Sequence, residues 1–177
     1  MVISGLRSDR VRVLINGLHA KSGGGVTYLR NILPLMADDK RLELHLFLHV
    51  EQYSLFAPLD ERIRPHFLEF RPGLVRTLLW EQFSLPLLAR VMSADVTFSP
   101  ANYGPLFAPA SVILLRNSLA VVGSEPRFLK RFYWAGLAFM TAISLFRCRH
   151  AIAVSNYARR ALTFGLSDRL GKRVSVV

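Results

Sequence analysis

The first 36 residues contain a strand, a glycine-rich loop and a helix in immediate succession, and this order strongly limits the folds available to the chain. Residues 11–15 form a short apolar run of the kind found in strands that are buried on both faces of a sheet. Residues 16–25 are polar and glycine-rich, and apolar residues recur from Val26 onwards at helical spacing. Pro34 lies within this helix and is expected to kink or shorten it.

Strands and helices continue to alternate along the rest of the chain. Residues 42–48 alternate leucine with other residues at a period of two, which predicts a second strand. Further strands are predicted at 63–70, 95–98, 111–115, 151–154 and 173–177, and helices at 73–92, 125–147 and 156–164. Ser155 is expected to cap the last of these helices and Gly165 to end it. The pattern predicts an α/β fold, a Rossmann-like parallel sheet flanked by helices, over residues 11–177 after a short tail of residues 1–10.

Composition excludes several classes of protein. The chain has 177 residues, of which 51% are hydrophobic and 20% charged, so it is expected to bury one ordinary core rather than to be disordered. Its single cysteine, Cys148, cannot form an intramolecular disulfide and favours a reducing compartment. Residues 1–10 lack the apolar stretch of an export signal. A cytoplasmic location is therefore expected.

The positive charge is concentrated in the last third of the sequence. Residues 1–115 hold 12 basic and 10 acidic side chains, whereas residues 116–177 hold 11 basic and 2 acidic ones, which together give the net charge of +11. Such a surface suits phosphate groups on nucleic acid, anionic lipid or a phosphorylated substrate. Because no recognition helix, zinc finger or RNA-binding signature is present, nucleic acid is disfavoured as the partner.

The glycine cluster of the first loop is a candidate binding site. Gly23, Gly24 and Gly25 lie where an α/β domain binds anionic groups, because glycines let backbone N–H groups approach a ligand at a helix N-terminus. The alternative is a flexible turn, since neither the full dinucleotide-binding pattern nor the P-loop ending is present. No acidic residue ends the second strand, which disfavours dinucleotide oxidoreduction.

Several ordered blocks of sequence resemble the N-terminal half of the family 4 glycosyltransferases. They are Asn16-Gly17, residues 23–28, Trp80-Glu81-Gln82 with Leu85-Pro86, residues 95–105, Arg116-Asn117 and residues 153–159. The resemblance implies a two-domain GT-B enzyme of the retaining type, whose N-terminal domain binds the acceptor and whose C-terminal domain binds a nucleotide sugar. It implies no metal and no cofactor besides that donor substrate. The expected acceptor is a polysaccharide, a lipid or a lipid-linked precursor.

In this family the final strand leads through a Pro-Asn-Gly type loop into the donor domain, and no such segment follows Val177. We therefore expect the acceptor-side half of a truncated or split reading frame, inactive alone and completed by a separate donor-domain polypeptide. The alternative is a stand-alone module that binds an acceptor or an anionic membrane without catalysis.

The resemblance also implies which residues lie at the site. Gly23, Gly24 and Gly25 would face the interdomain cleft, and Asn102 and Tyr103 follow a strand at the edge where ligands collect, although a purely structural loop is equally compatible. Arg116 and Asn117 end the next strand, where many relatives place a His or an Asp pair, so no catalytic residue is assigned. The Arg116 guanidinium could bind a phosphate or form a surface ion pair.

One helical segment could contact a membrane surface. Residues 132–146 carry no charge, but at 1.5 Å per residue they span about 22 Å, which is shorter than the roughly 30 Å hydrocarbon core. Arg127, Lys130, Arg131 and Trp134 are predicted to face an anionic membrane, and the alternative is a core helix that covers the sheet.

His45 and His49 lack nearby carboxylates or cysteines in the sequence pattern, so no metal site is predicted.

Overall fold

The fold is built on one parallel sheet of seven strands. The computed structural model describes residues 9–116 and 128–177, with the side chains of all of these except residues 128–131 and 167–168. The strands are β1 (Val11–Asn16), β2 (Leu42–His49), β3 (Ile63–Leu68), β4 (Val96–Ser99), β5 (Ser111–Leu115), β6 (His150–Ala153) and β7 (Val174–Val176). Every neighbouring pair is parallel, in the order β3-β2-β1-β4-β5-β6-β7. The predicted Rossmann-like α/β fold is confirmed.

Helices cover both faces of this sheet. They are α1 (Gly24–Asp38), α2 (Tyr53–Phe56), α3 (Leu74–Leu79), α4 (Leu85–Val91), α5 (Phe128–Arg147), α6 (Asn156–Leu162) and α7 (Ser167–Leu170), and a π-helical turn over Trp80–Ser84 joins α3 to α4. The chain moves outward from β1 to β3 and then returns to the other side of β1 at β4. At such a reversal the loops at the carboxyl ends of the strands diverge and leave a crevice for a ligand.

The core lies on the two faces of the sheet, because successive strand residues point to opposite sides. On one face, Ile15, Leu46 and Leu114 pack against Leu29 and Leu33 of α1. The opposite face is covered by α4 and, further along the sheet, by α5 and α6. The buried residues there are Leu14, Phe47, Leu85 and Ala89 in one cluster, and Ile113, Leu115, Leu145, Ala158 and Leu162 in another.

The structure corrects some local predictions and confirms others. Pro34 does not shorten α1, which continues to Asp38, because Pro34 lies on the exposed side where water can hydrate the carbonyl that lacks its N–H partner. The third strand ends at Leu68 rather than at residue 70, and α6 ends at Leu162. Ser155 caps α6 as predicted, since its Oγ accepts a hydrogen bond of 3.0 Å from the Ala158 N–H.

The long helix α5 covers the sheet beside β5. Thr141, Ser144 and Leu145 are buried on its inner side, whereas Phe132 and Phe139 are exposed. Within the described ranges, none of the helices has the length and hydrophobicity to span a membrane.

The packing of α1 on the sheet gives a direct test of the core. Leu29→Ala should lower the free energy of unfolding by about 2–5 kcal/mol, because Leu29 is fully buried and its loss leaves a cavity. Leu35→Ala on the same helix is the matched control, with an expected change within about 0.5 kcal/mol because Leu35 is exposed. Urea unfolding of both variants measures the difference. Equal effects would contradict the assigned inner face of α1.

Candidate functional site

A buried carboxylate connects the end of β1 to the helices on the far side of the sheet. Glu81 lies in the π-helical turn with no solvent exposure. Its Oε1 accepts a hydrogen bond of 2.9 Å from Asn16 Nδ2, and its Oε2 lies 3.0 Å from His19 Nε2. Because a carboxylate only accepts hydrogen bonds, Nε2 of His19 carries a proton in this contact, and in the neutral form of the ring Nδ1 is then an acceptor.

The same loop is held from its other side by Gln52. The Gln52 side-chain amide donates to the Gly17 carbonyl at 3.1 Å and to the Ala20 carbonyl at 2.8 Å, and its oxygen accepts from the His49 N–H at 2.9 Å. Two buried side chains from distant elements therefore fix the segment that leads into α1. The position of the α1 N-terminus above the sheet follows from this double attachment.

The fixed loop forms one wall of a cavity at the carboxyl edge of the sheet. The cavity has a volume of about 220 Å³, and its lining includes His19, Asn102, Tyr103, Arg116, Tyr133 and Trp134. The His19 and Tyr103 rings meet edge to face with their centroids 5.1 Å apart. Burial, with smaller contributions from Glu81 and Tyr133, raises the pKa of Tyr103 above its ordinary value, so the phenol keeps its proton. The wall offers both hydrogen-bonding groups and aromatic surface.

Arg116 closes the cavity on the side of α1. Its backbone N–H donates to Asn102 Oδ1 at 3.0 Å, which fixes the end of β5. Its side chain lies against Gly25, where an added Cβ would approach Nη1 to 2.7 Å and Nη2 to 2.9 Å. A glycine is therefore required at position 25 for the guanidinium to occupy this place.

A second cavity lies on the other side of the Arg116 side chain. It has a volume of about 310 Å³ and is lined by Ser22, Gly24, Gly25, Tyr28, Arg116 and Val154. Gly24 and Gly25 are the first residues of α1, so their backbone N–H groups have no acceptor within the helix. The guanidinium and the positive end of α1 thus border the same space, an arrangement that attracts anions.

The burial of Arg116 and its contacts also favour an anionic ligand. Burial lowers the pKa of Arg116, an effect opposed by nearby Tyr28, yet a guanidinium remains a cation at neutral pH. Burial raises the pKa of Tyr28, and Arg116 opposes that shift. Among the residues that the structure describes, no carboxylate forms an ion pair with Arg116, and its buried Nε has no hydrogen-bond partner. The half-buried cation therefore lacks an internal counter-charge in this part of the chain.

The structure brings most of the predicted site residues together. Gly24, Gly25, Asn102, Tyr103 and Arg116 all line one or both cavities. Gly23 is the N-cap of α1, and its φ of 56° is a left-handed conformation that glycine adopts without strain. Asn117 lies outside the described residues.

Of the four residues predicted to face a membrane, only Trp134 has a described side chain. Trp134 is partly buried and lines the first cavity, close to Tyr133. Lys130 and Arg131 lie in the first turn of α5, in the stretch whose side chains are not described, and Arg127 lies outside the described residues.

From the sequence alone, Glu81 of the Trp80-Glu81-Gln82 block is expected only to orient its helix by hydrogen bonds, and His19 is notable only for its place in the glycine-rich loop. A charged residue on the inner side of a helix, together with an asparagine at the end of a buried strand, was the available signal.

His45, which the sequence pattern paired with His49, contacts His66 instead, with 2.9 Å between Nδ1 and Nε2. In the described ranges, no three His, Cys, Asp or Glu side chains are grouped so that they could hold a metal ion.

Comparisons with known proteins do not supply an identity: no family model matches the sequence, and a search of curated proteins finds no match. The function is therefore argued from the geometry of the two cavities.

Exchange of the buried carboxylate for an amide tests the hydrogen-bond pattern of the loop. In Glu81→Gln the amide oxygen can still accept from Asn16, and the amide NH2 then faces His19 Nε2, which must become an acceptor. We expect the His19 proton to move from Nε2 to Nδ1, which long-range 1H–15N NMR of the ring detects. The exposed Glu61→Gln should leave the His19 spectrum unchanged. An unchanged tautomer in Glu81→Gln would contradict the assigned contact.

Proposed function

We propose that this chain is the acceptor-side domain of a GT-B glycosyltransferase of the family 4 type. In this proposal the domain binds a glycan, a lipid or a lipid-linked acceptor. A donor-binding domain holds the nucleotide sugar. The observation that carries the proposal is the Arg116 guanidinium packed against Gly25 at the N-terminus of α1, at the carboxyl edge of a Rossmann-like sheet.

The charge of this site favours a phosphate group as part of the ligand. Arg116 presents a planar fork of N–H donors that matches phosphate oxygens, and the first N–H groups of α1 add donors and positive potential. Arg116 is partly desolvated and has no carboxylate partner among the described residues, so it gains most from an anionic ligand that replaces the hydration it has lost. Both substrates of the proposed reaction can carry such a group: the nucleotide sugar and a lipid-linked acceptor.

The first cavity supports the binding of an acceptor beside that phosphate. Tyr103, Tyr133 and Trp134 provide aromatic surface, while His19 and Asn102 provide polar atoms. Nε2 of His19 is hydrogen-bonded to Glu81. In the neutral ring, Nδ1 can therefore accept a hydrogen bond from a hydroxyl of the sugar acceptor. The Glu81 carboxylate would act here as a positioning group, since it is fully buried and does not reach the cavity.

The alternative function is a stand-alone module that binds the same anionic ligand without catalysis. The cavities support ligand binding in either case. The two functions differ only in whether a donor-binding domain completes the cleft.

Two substitutions at the Arg116 contact test the phosphate site. Arg116→Gln removes the charge, and Gly25→Ala introduces a Cβ that must displace the guanidinium, so each should weaken binding at least tenfold. The probes are uridine diphosphate, farnesyl phosphate and inorganic phosphate, titrated by calorimetry against the wild-type chain. Uridine diphosphate binding would indicate a donor phosphate and farnesyl phosphate binding a lipid-linked acceptor, while inorganic phosphate gives the reference for the anion alone.

The chain offers a matched control for each variant. Arg30→Gln removes an exposed cation of α1, and Gly136→Ala adds a methyl group within a helix where nothing lies within 4 Å. Both should bind like the wild-type chain. Undiminished binding by Arg116→Gln, or the same loss in all four variants, would refute the phosphate site.

Catalysis requires a donor-binding domain, and the gene offers the first test for one. The transcript beyond the codon for Val177 should encode, in frame or in a neighbouring frame, a Pro-Asn-Gly type loop and an acidic donor-site motif. Transfer of a radiolabelled sugar is then assayed with both domains present. If the two together form no glycosidic bond with any acceptor that the chain binds, the non-catalytic module becomes the better description.

A further inference from the structure

The continuous helical segment from α3 to α4 exposes a row of apolar side chains. Val75, Leu79, Phe83, Leu87 and Val91 follow one another at intervals of four residues, and each is more than half exposed. We call these five residues the outer row. Its spacing places all five on one side of the helical segment.

The opposite side of this segment is the one that contacts the sheet. Its buried residues are Thr77, Glu81, Leu85, Pro86 and Ala89, of which two are polar. An amphipathic surface helix ordinarily turns its apolar stripe to the core and leaves the other side polar. Here Leu85 and Ala89 pack into the core, and the Glu81 contacts with Asn16 and His19 hold the same side against the sheet. The outer row faces away from the core, so this segment has apolar side chains on both of its sides.

A second apolar row lies on α5, which covers the same face of the sheet. Phe132, Phe139 and Phe146 are spaced by seven residues, or two helical turns, and all three are exposed. The loop between β4 and β5 contacts both α4 and α5 and adds exposed Phe107. The Phe107 carbonyl accepts a hydrogen bond from Arg90, and the Arg147 guanidinium lies 5.7 Å from the Phe107 ring centroid.

The exposed charges described within these helices are positive, namely Arg76, Arg90 and Arg147. In the segment before α3, exposed Arg71 is accompanied by exposed Glu69. Glu81 is the only acidic residue within α3, α4, the π-helical turn and α5, and it is fully buried. The described part of this face therefore combines exposed aliphatic and aromatic groups with cations and presents no carboxylate from these helices.

We propose that this face binds the surface of an anionic lipid bilayer, with the outer row inserted at the boundary between headgroups and acyl chains. Apolar side chains on one side of a helix, flanked by arginines, match the chemistry of such an interface. A second copy of the chain would bring like charges together, and a nucleic acid offers no apolar surface to Val75, Leu79 or Val91. The proposal is independent of the phosphate site and of glycosyl transfer.

Flotation with vesicles tests the proposal on the full chain. Vesicles of phosphatidylglycerol and phosphatidylcholine should bind the chain more tightly than vesicles of phosphatidylcholine alone, and the difference should shrink as salt is raised. Leu79→Ser combined with Phe83→Ser should reduce binding to the anionic vesicles at least tenfold. Leu35→Ser removes an equally exposed leucine from α1 on the opposite face and should have no effect. Arg76→Gln should weaken binding more than Arg30→Gln does.

Thermal unfolding is the control for folding. It should show that the exposed substitutions leave the fold intact, so that a loss of vesicle binding is caused by the changed surface. Unchanged flotation of the Leu79→Ser and Phe83→Ser double variant would overturn the proposal. So would a wild-type chain that ignores anionic vesicles but forms a dimer, by light scattering, that the double variant does not form. Phosphate titrations at Arg116 remain informative in every case, because they use no membrane.

Discussion

The hydrogen bonds of Glu81 are the interaction on which the rest of the structure depends. They join the end of β1, the first loop and the helical segment on the far face of the sheet. A buried carboxylate is costly unless it is hydrogen-bonded, so the three elements must meet in this geometry for the chain to fold well. The contact fixes the path of the loop into α1, and together with the core packing of Leu85 and Ala89 it holds one side of the α3–α4 segment against the sheet. The candidate site and the exposed outer row both depend on this arrangement.

The position of the site follows from the order of the strands. The chain reverses its direction across the sheet between β1 and β4, and the loops after β1, β4 and β5 surround the resulting crevice. Arg116 directly follows β5, whereas Gly25 lies in the first turn of α1. Their contact brings a cation to a helix N-terminus, where an anion is favoured from two sides. Because Gly25 lacks a side chain, the guanidinium can lie directly against the helix backbone.

The sequence allowed the fold to be predicted well because its signals are local. Each of these signals depends only on residues that are close together in the sequence. Examples are the apolar run at residues 11–15, the period of two over residues 42–48 and the cap at Ser155. The sequence predicted that Pro34 would kink or shorten α1, and it does not shorten the helix, because that effect depends on whether water reaches the freed carbonyl, which only the packed helix decides. The sequence suggested that Glu81 orients its helix by hydrogen bonds, but its partners could not be identified because they lie 65 and 62 residues away. The spacing of the outer row identified a helix, but spacing alone does not tell which side of it meets the sheet.

The most direct test of the account is to locate an anion on the folded chain. In a 1H–15N NMR titration with inorganic pyrophosphate, the account predicts the largest shifts at the backbone amides of Gly24 and Gly25 and at the Arg116 side chain. The chain offers a competing cationic site at the other edge of the sheet, where Arg147, Arg149 and Arg173 line an open pocket. Shifts confined to those three arginines, with Gly24, Gly25 and Arg116 unchanged, would contradict the assignment of the anion site to the N-terminus of α1.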